Sequence, residues 1–192
     1  MAKIKANAAL VQVLKNWQID HVYGIPGDSI DKVVDALKTE EEAIKFYHVR
    51  HEEVAALSAS SYAKLTGKIA VALSIGGPGA IHLLNGMYDA KMDNVPMLVL
   101  AGQTDSDKLG TKFFQEVDLP ALFEDVAVYN KQIESAENIH ETVNEAIKTA
   151  YAKKGVAVLT IPSDILSGKI EDKVPRETYE FQNSVKYAEE SE

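Results

Sequence analysis

The chain has 192 residues, 46% of them hydrophobic and 26% charged, the make-up of an ordinary globular protein with one sizeable core. Lysine and arginine total 20 against 29 aspartates and glutamates, a formal charge of −9 with no basic patch, which argues against a nucleic-acid partner because phosphate neutralisation dominates that affinity. Cysteine is absent, which removes disulfides, thiolate nucleophiles and thiolate-bound metal centres and fits a cytoplasmic protein.

Residues 6–17 read as an amphipathic helix with Leu10, Val13, Leu14 and Trp17 on one face, and no apolar signal core precedes it. Residues 21–25 form a short strand ended by Pro26-Gly27, and Asp28 or Ser29 then caps a helix through residue 37. The acidic run 40–42 is a solvated loop. A second strand covers 45–49 and an alanine-rich helix 52–65. The strand at 68–75 is bounded by Gly67 and Gly76-Gly77, and Pro78 opens a helix to 91 from the first-turn position that proline favours. A strand at 95–101 leads into a polar loop through 115, followed by a short helix at 119–125, a strand at 126–133, a helix at 138–152 and a last strand at 155–161. No apolar stretch approaches the roughly 20 residues that cross a bilayer.

Strands separated by helices imply right-handed crossovers. The apolar runs lack clean alternation, as strands covered on both faces do. The expected fold is α/β: a three-layer sandwich with about six parallel strands and helices on both faces. In such sheets ligands bind beyond the carboxyl ends of the strands. The loops at 24–29, 50–53, 76–80 and 102–115 gather at that edge. Residues 1–165 make the expected domain. After Pro162 the sequence turns polar and charged, so 166–192 reads as a linker.

Glu52 and Glu53 stand where an apolar strand meets a small-residue helix. Two acids in a first turn complement the helix dipole. A carboxyl walled by Val49, Val54 and Ala56 can also be desolvated and share a proton with a ligand's ring nitrogen. His51-Glu52-Glu53-Val54-Ala55 is not a two-histidine zinc helix, because its fifth position is alanine, and no metal ligands are assigned. The turns around Gly24, Pro26 and Gly27 and around Gly76 to Gly79 match neither a Walker loop nor a dinucleotide fingerprint. They are tight turns that let a flat ligand approach the backbone, or turn geometry alone. Phe113-Phe114-Gln115 ends the long loop, either as a pocket wall or as an anchor into the core. His82 and Asn85 share a helix face, from which either could reach a ligand, with packing as the default role.

Together these segments resemble the N-terminal, pyrimidine-binding domain of thiamine-diphosphate enzymes, in the branch of pyruvate oxidase and acetolactate synthase. The matching pieces occur in the family's order over residues 3–165: Tyr23-Gly24-Ile25-Pro26-Gly27, Arg50-His51-Glu52-Glu53 with Tyr62-Ala63-Lys64, Gly76-Gly77-Pro78-Gly79 with Asn85-Gly86, and Phe114-Gln115-Glu116. His51-Glu52-Glu53-Val54 and the run 84–90 are most similar to bacterial pyruvate oxidases. The resemblance implies that Glu52 hydrogen-bonds the pyrimidine nitrogen, that Phe114 and Gln115 face the substrate, and that Gly24, Pro26, Gly27, Gly77 and Asn85 border the cofactor. It also implies that the diphosphate and its Mg²⁺ bind another domain, so Gly27-Asp28 is not a metal site. The chain is then expected to be a fragment leading toward a flavin-binding middle domain. The whole enzyme would oxidise pyruvate to acetate or acetyl phosphate with thiamine diphosphate, Mg²⁺ and FAD, as a homo-oligomer whose site is completed by a neighbouring chain. The fragment alone need hold no cofactor and is expected to be inactive. An acetolactate-synthase-like carboligase and a stand-alone partner-binding subunit are the alternatives. Membrane contact, where relatives show it, depends on a far C-terminal segment.

Overall fold

The apolar runs at 71–74, 97–103 and 156–162 are buried at every position, as interior strands covered on both faces must be. The computed structural model describes residues 2–179. In chain order its elements are β1 (Lys3–Lys5), α1 (Ala6–Asn16), β2 (His21–Gly24), α2 (Asp31–Lys38), β3 (Lys45–His48), α3 (Glu52–Thr66), β4 (Val71–Ser74), α4 (Pro78–His82), α5 (Leu84–Met92), β5 (Met97–Gln103), α6 (Leu119–Leu122), β6 (Ala127–Gln132), α7 (Ile139–Lys153), β7 (Val156–Pro162) and β8 (Lys169–Glu171). The main sheet has six strands in the order β3-β2-β4-β5-β7-β6, and each neighbouring pair is parallel. The fold is thus the α/β three-layer sandwich that the sequence pattern predicts.

Alternate strand residues feed two separate cores, as the period of two requires. Val71, Leu73, Leu98, Leu100, Leu159 and Ile161 pack with α1, α2 and α7. Ala70, Ala72, Val99, Ala101, Val156 and Val158 pack with α3, α5 and α6. Small residues let α3 lie close to its neighbours: Ala55, Ala56, Ala59 and Ala63 are buried on it.

Strand order also locates the ligand edge. From β2 the chain moves outward to β3, then crosses back to β4 on the other side of β2. The crossover direction reverses between β2 and β4, and the loops after these strands diverge there into a crevice.

Three local expectations are corrected. Neither Asp28 nor Ser29 caps α2: the helix starts at Asp31 behind Ile30, with no side-chain cap. Ser29 instead spends its hydroxyl on the next turn, accepting from the Gly76 backbone N–H at 3.1 Å. The helix expected at 78–91 is divided at Leu83, whose N–H bonds Ala80 O at 3.3 Å, an i−3 tightening of the ladder. The short helix ends at Leu122, with the Asp118 side chain capping it through the Ala121 N–H at 3.1 Å.

Chain beyond 165 continues to pack on the domain. β8 pairs antiparallel with β1, matching Ile4 to Ile170, and Ile170 and Val174 are buried. Asn16 donates to Pro175 O at 2.6 Å. Residues 180–192, the remainder of the expected linker, lie outside the described residues.

Candidate functional site

β3 delivers the chain to the sheet's carboxyl edge, and α3 begins there four residues later. His51 caps the helix, its Nδ1 accepting from the Glu53 N–H at 3.3 Å. Glu52 is the first helical residue and only 8% exposed. Its Oε2 accepts from Nδ1 of His82, at the end of α4, at 3.0 Å. Its Oε1 lies against Gly79: a Cβ added there would stand 3.0 Å away. The bare glycine therefore keeps one carboxylate oxygen approachable. The His51 and His82 rings stack with centroids 4.4 Å apart.

Glu53 has a different task. Its Oε1 accepts from Nδ2 of Asn85 at 2.8 Å, fastening the start of α3 to α5. Further along the same pair of helices, Asp89 accepts from Ser60 Oγ and Lys64 Nζ, each at 2.6 Å. The Lys64 ammonium, then the Ser60 hydroxyl, hold the Asp89 carboxyl below its ordinary range. The same bond, with a second to Asp93, raises Lys64.

The glycine turns meet the long loop beside this carboxylate. Gly77 has φ of +58°, in the left-handed region, and a Cβ there would sit 2.5 Å from Gln115 O. Phe114, Gln115, Asp28, Ser29, Gly76 and Gln103 line a cavity of about 220 Å³. Phe114 is 79% exposed, and Lys108 lies over the exposed Phe113 ring at 4.6 Å. Both rings stand at the site, and neither anchors in the core. Gly24 is explained by the sheet: a Cβ would meet Leu73 O at 2.4 Å. Gly27 packs on Ile75 in the same way, and Pro26 is exposed at the turn.

One residue takes a partner that the sequence did not indicate, and another was not singled out from the sequence. His82 had packing as its default role and instead bonds Glu52. Gln103 is buried at the end of β5, donates to Val117 O at 2.8 Å and accepts from the Thr104 N–H at 2.9 Å. A polar residue closing an apolar strand was its only signal.

A second feature lies along β2 and β3. Tyr23, Tyr47, Tyr62 and His21 form an aromatic cluster at the β3 edge, with Tyr62 and His21 each 2.7 Å from Asp20 Oδ1. Burial raises Asp20, but the hydrogen bonds from His21 and Tyr62 outweigh it and leave the carboxyl low. Burial, and then the bond to Asp20, push Tyr62 well above the usual phenol range. Beside the cluster, Val54, Leu57 and Leu65 expose apolar surface along α3, and Ile81 and Met92 do so on α4 and α5.

A doubly covered parallel sheet with a buried carboxylate and bare glycine turns at its switch point defines a cofactor-binding α/β domain. The chain belongs to the thiamine pyrophosphate enzymes: residues 4–122 match the family's N-terminal TPP binding domain. It is 54% identical over 170 residues to a putative thiamine pyrophosphate-containing protein, YdaP, of Bacillus subtilis, covering 88% of this chain and 30% of that protein. It is 47% identical over 162 residues to a pyruvate oxidase of Lactiplantibacillus plantarum, covering 84% of this chain and 27% of that enzyme. An acetolactate synthase of Arthrospira platensis is 35% identical over 172 residues, covering 88% and 30%. The chain thus spans less than a third of the length of these relatives. Among the described residues no helix is long and apolar enough to cross a membrane.

The surroundings of Glu52 do not conflict with a flat heteroaromatic ring placed against the carboxyl. The carboxylate is shielded from water, and one of its oxygens faces Gly79, where a Cβ would stand 3.0 Å from it.

Proposed function

We propose that this chain is the pyrimidine-binding domain of a cytoplasmic pyruvate oxidase. The whole enzyme converts pyruvate to acetate or acetyl phosphate with thiamine diphosphate, Mg²⁺ and FAD. The single observation that carries this reading is the shielded Glu52 carboxylate at the switch point, in a chain 47% identical to a pyruvate oxidase. Thiamine diphosphate, when bound, supplies the electron sink for the pair left behind as CO₂ departs. Glu52 would hold the pyrimidine through a proton shared with its carboxyl, a role that a carboxyl shielded from water suits. His82 holds the other oxygen and so fixes the orientation of the carboxylate. Gly77, Gly79 and Asn85 shape the crevice, and Phe114 and Gln115 close its substrate side. Gly24, Pro26 and Gly27 form the turn opposite.

Diphosphate, Mg²⁺ and FAD are assigned to parts of the enzyme outside this chain. The partner is the diphosphate-binding domain of a neighbouring chain in a homo-oligomer, docked on the apolar faces of α3 to α5. Exposed Leu65 and Met92, at 87% and 73%, support that docking.

The purified chain with pyruvate and all three cofactors should give no turnover. In the full-length enzyme, Glu52→Gln should remove most turnover while circular dichroism stays unchanged. Full activity in that variant refutes the role of Glu52. Acetolactate as the main product, in place of acetate or acetyl phosphate, refutes the oxidase reading.

A further inference from the structure

A carboxylate oxygen of Glu52 and one ring nitrogen each from His51 and His82 all lie within 4.8 Å of one another. The imidazoles come from different elements, the cap of α3 and the last residue of α4. They meet because bare Gly79 lets α4 approach Glu52 and because α3 and α5 are fastened together. That fastening is Asn85 to Glu53, and Ser60 and Lys64 to Asp89. The donors sit at the start of α3 and at the end of α4, two residues before α5 begins.

Two imidazoles and a carboxylate form a nitrogen-rich donor set. It suits Zn²⁺ and is poor for Mg²⁺ or Ca²⁺, which take oxygen ligands. Zinc bonds of about 2.0–2.2 Å at a tetrahedral centre hold donors roughly 3.3 Å apart. His82 Nδ1 and Glu52 Oε2 are 3.0 Å apart, close to that spacing. The remaining donor has to close by at most about 1.5 Å to reach the tetrahedral separation. The His51 side chain is 48% exposed and that of His82 43%, so both rings can turn and an ion can enter from solvent. The helix containing His51-Glu52-Glu53 lacks a second histidine one turn on, and α4 supplies it across space.

We propose that His51, Glu52 and His82 form a zinc-binding site, with three protein donors and water in the fourth position. The ring proton of His82 then resides on Nε2, and the ion takes the place of the proton now shared by His82 and Glu52. Zinc bound here occupies the carboxylate assigned above to the pyrimidine, so the two exclude each other. That exclusion rests on the proposed function, whereas zinc binding itself does not.

The test is calorimetric titration of the purified 192-residue chain with ZnCl₂ alone near neutral pH, followed by histidine-ring NMR. One ion per chain should bind, with shifts at the His51 and His82 rings, and MgCl₂ should give no such response. His51→Ala and His82→Ala should each weaken binding at least tenfold. His21→Ala and His48→Ala should leave it unchanged. Absence of binding overturns the site, as does binding that survives both His51→Ala and His82→Ala. Ring shifts confined to His21, His48 or His140 overturn it too. If either alanine variant loses its native circular dichroism, the ring shifts of the unsubstituted chain decide. Failure of zinc to bind leaves the Glu52→Gln outcome in the full-length enzyme untouched, so the two readings fail separately.

Discussion

Gly86→Ala tests how tightly α3 and α5 must pack to hold Glu52 in place. The added Cβ would lie 2.4 Å from Leu57 N and 2.5 Å from both the carbonyl carbon and the Cβ of Ala56. Backbone atoms of a buried helix cannot rotate aside, and ordinary heavy-atom contacts are about 3.5–4.0 Å. The helices must therefore part by about 1 Å. Overpacking of this kind costs about 1–3 kcal/mol, toward the upper end where backbone is struck. Alanine returns about 1 kcal/mol of helix propensity. The net loss is about 1–2 kcal/mol, or a Tm lowered by roughly 2–8 °C for a chain of this size. Urea unfolding followed by circular dichroism measures it. The separation also lengthens the Asn85–Glu53 and His82–Glu52 bonds, so zinc binding should weaken in the folded variant. A Gly86→Ala variant about 1 kcal/mol more stable than the parent would show propensity acting alone, and would refute the close approach of the helices.

Gln103→Leu should destabilise the domain by about 1–3 kcal/mol, because the Val117 carbonyl loses its donor. It should also speed proteolysis within 104–118, since Gln103 anchors that loop at both ends of its side chain; unchanged cleavage would remove the anchoring role. Asp89→Asn addresses pH. The Asp89 carboxyl titrates lower in the folded chain than its ordinary value of 3.8, so its stabilising effect is complete above that pH and disappears as pH falls through the lower folded value. The variant should be less stable near neutrality and should lose less additional stability below about pH 4, measured as urea midpoints against pH. Identical acid slopes in the two proteins would contradict the Lys64–Asp89 link.

The sheet was readable because the runs at 71–74, 97–103 and 156–162 have no polar face to show. Their strand character does not depend on which helix covers them. The β1–β8 ribbon was not readable, because its strands are three residues each and lie at opposite ends of the domain. Ser29 carries the local signature of a helix cap, yet the Gly76 N–H, 47 residues away, takes its hydroxyl. His82 shows the same limit: one histidine on a helix says nothing of a carboxylate 30 residues earlier. Glu52 was legible only through the company of its neighbouring motifs. An acid in a first turn is ambiguous, and the burial that resolves it comes from Gly79 and α4, which local pattern does not bring to it.

That burial has an energetic consequence for what the site requires. A shielded carboxylate is costly unless hydrogen bonds replace its lost water. Among the described residues, the hydrogen bond to its side chain comes from His82, to Oε2. The N-terminal end of α3 adds a favourable dipole. A further partner for the carboxylate comes only from something entering the crevice, and both candidates, a ring nitrogen sharing a proton at Oε1 and a zinc ion replacing the proton at Oε2, are electron-poor. The pocket is therefore selective for charge type before shape is considered: an anionic ligand would face Glu52 unscreened. This is why the glycine turns at 24–27 and 76–79, although lined with backbone, are read as walls for a flat ring and not as a phosphate cradle.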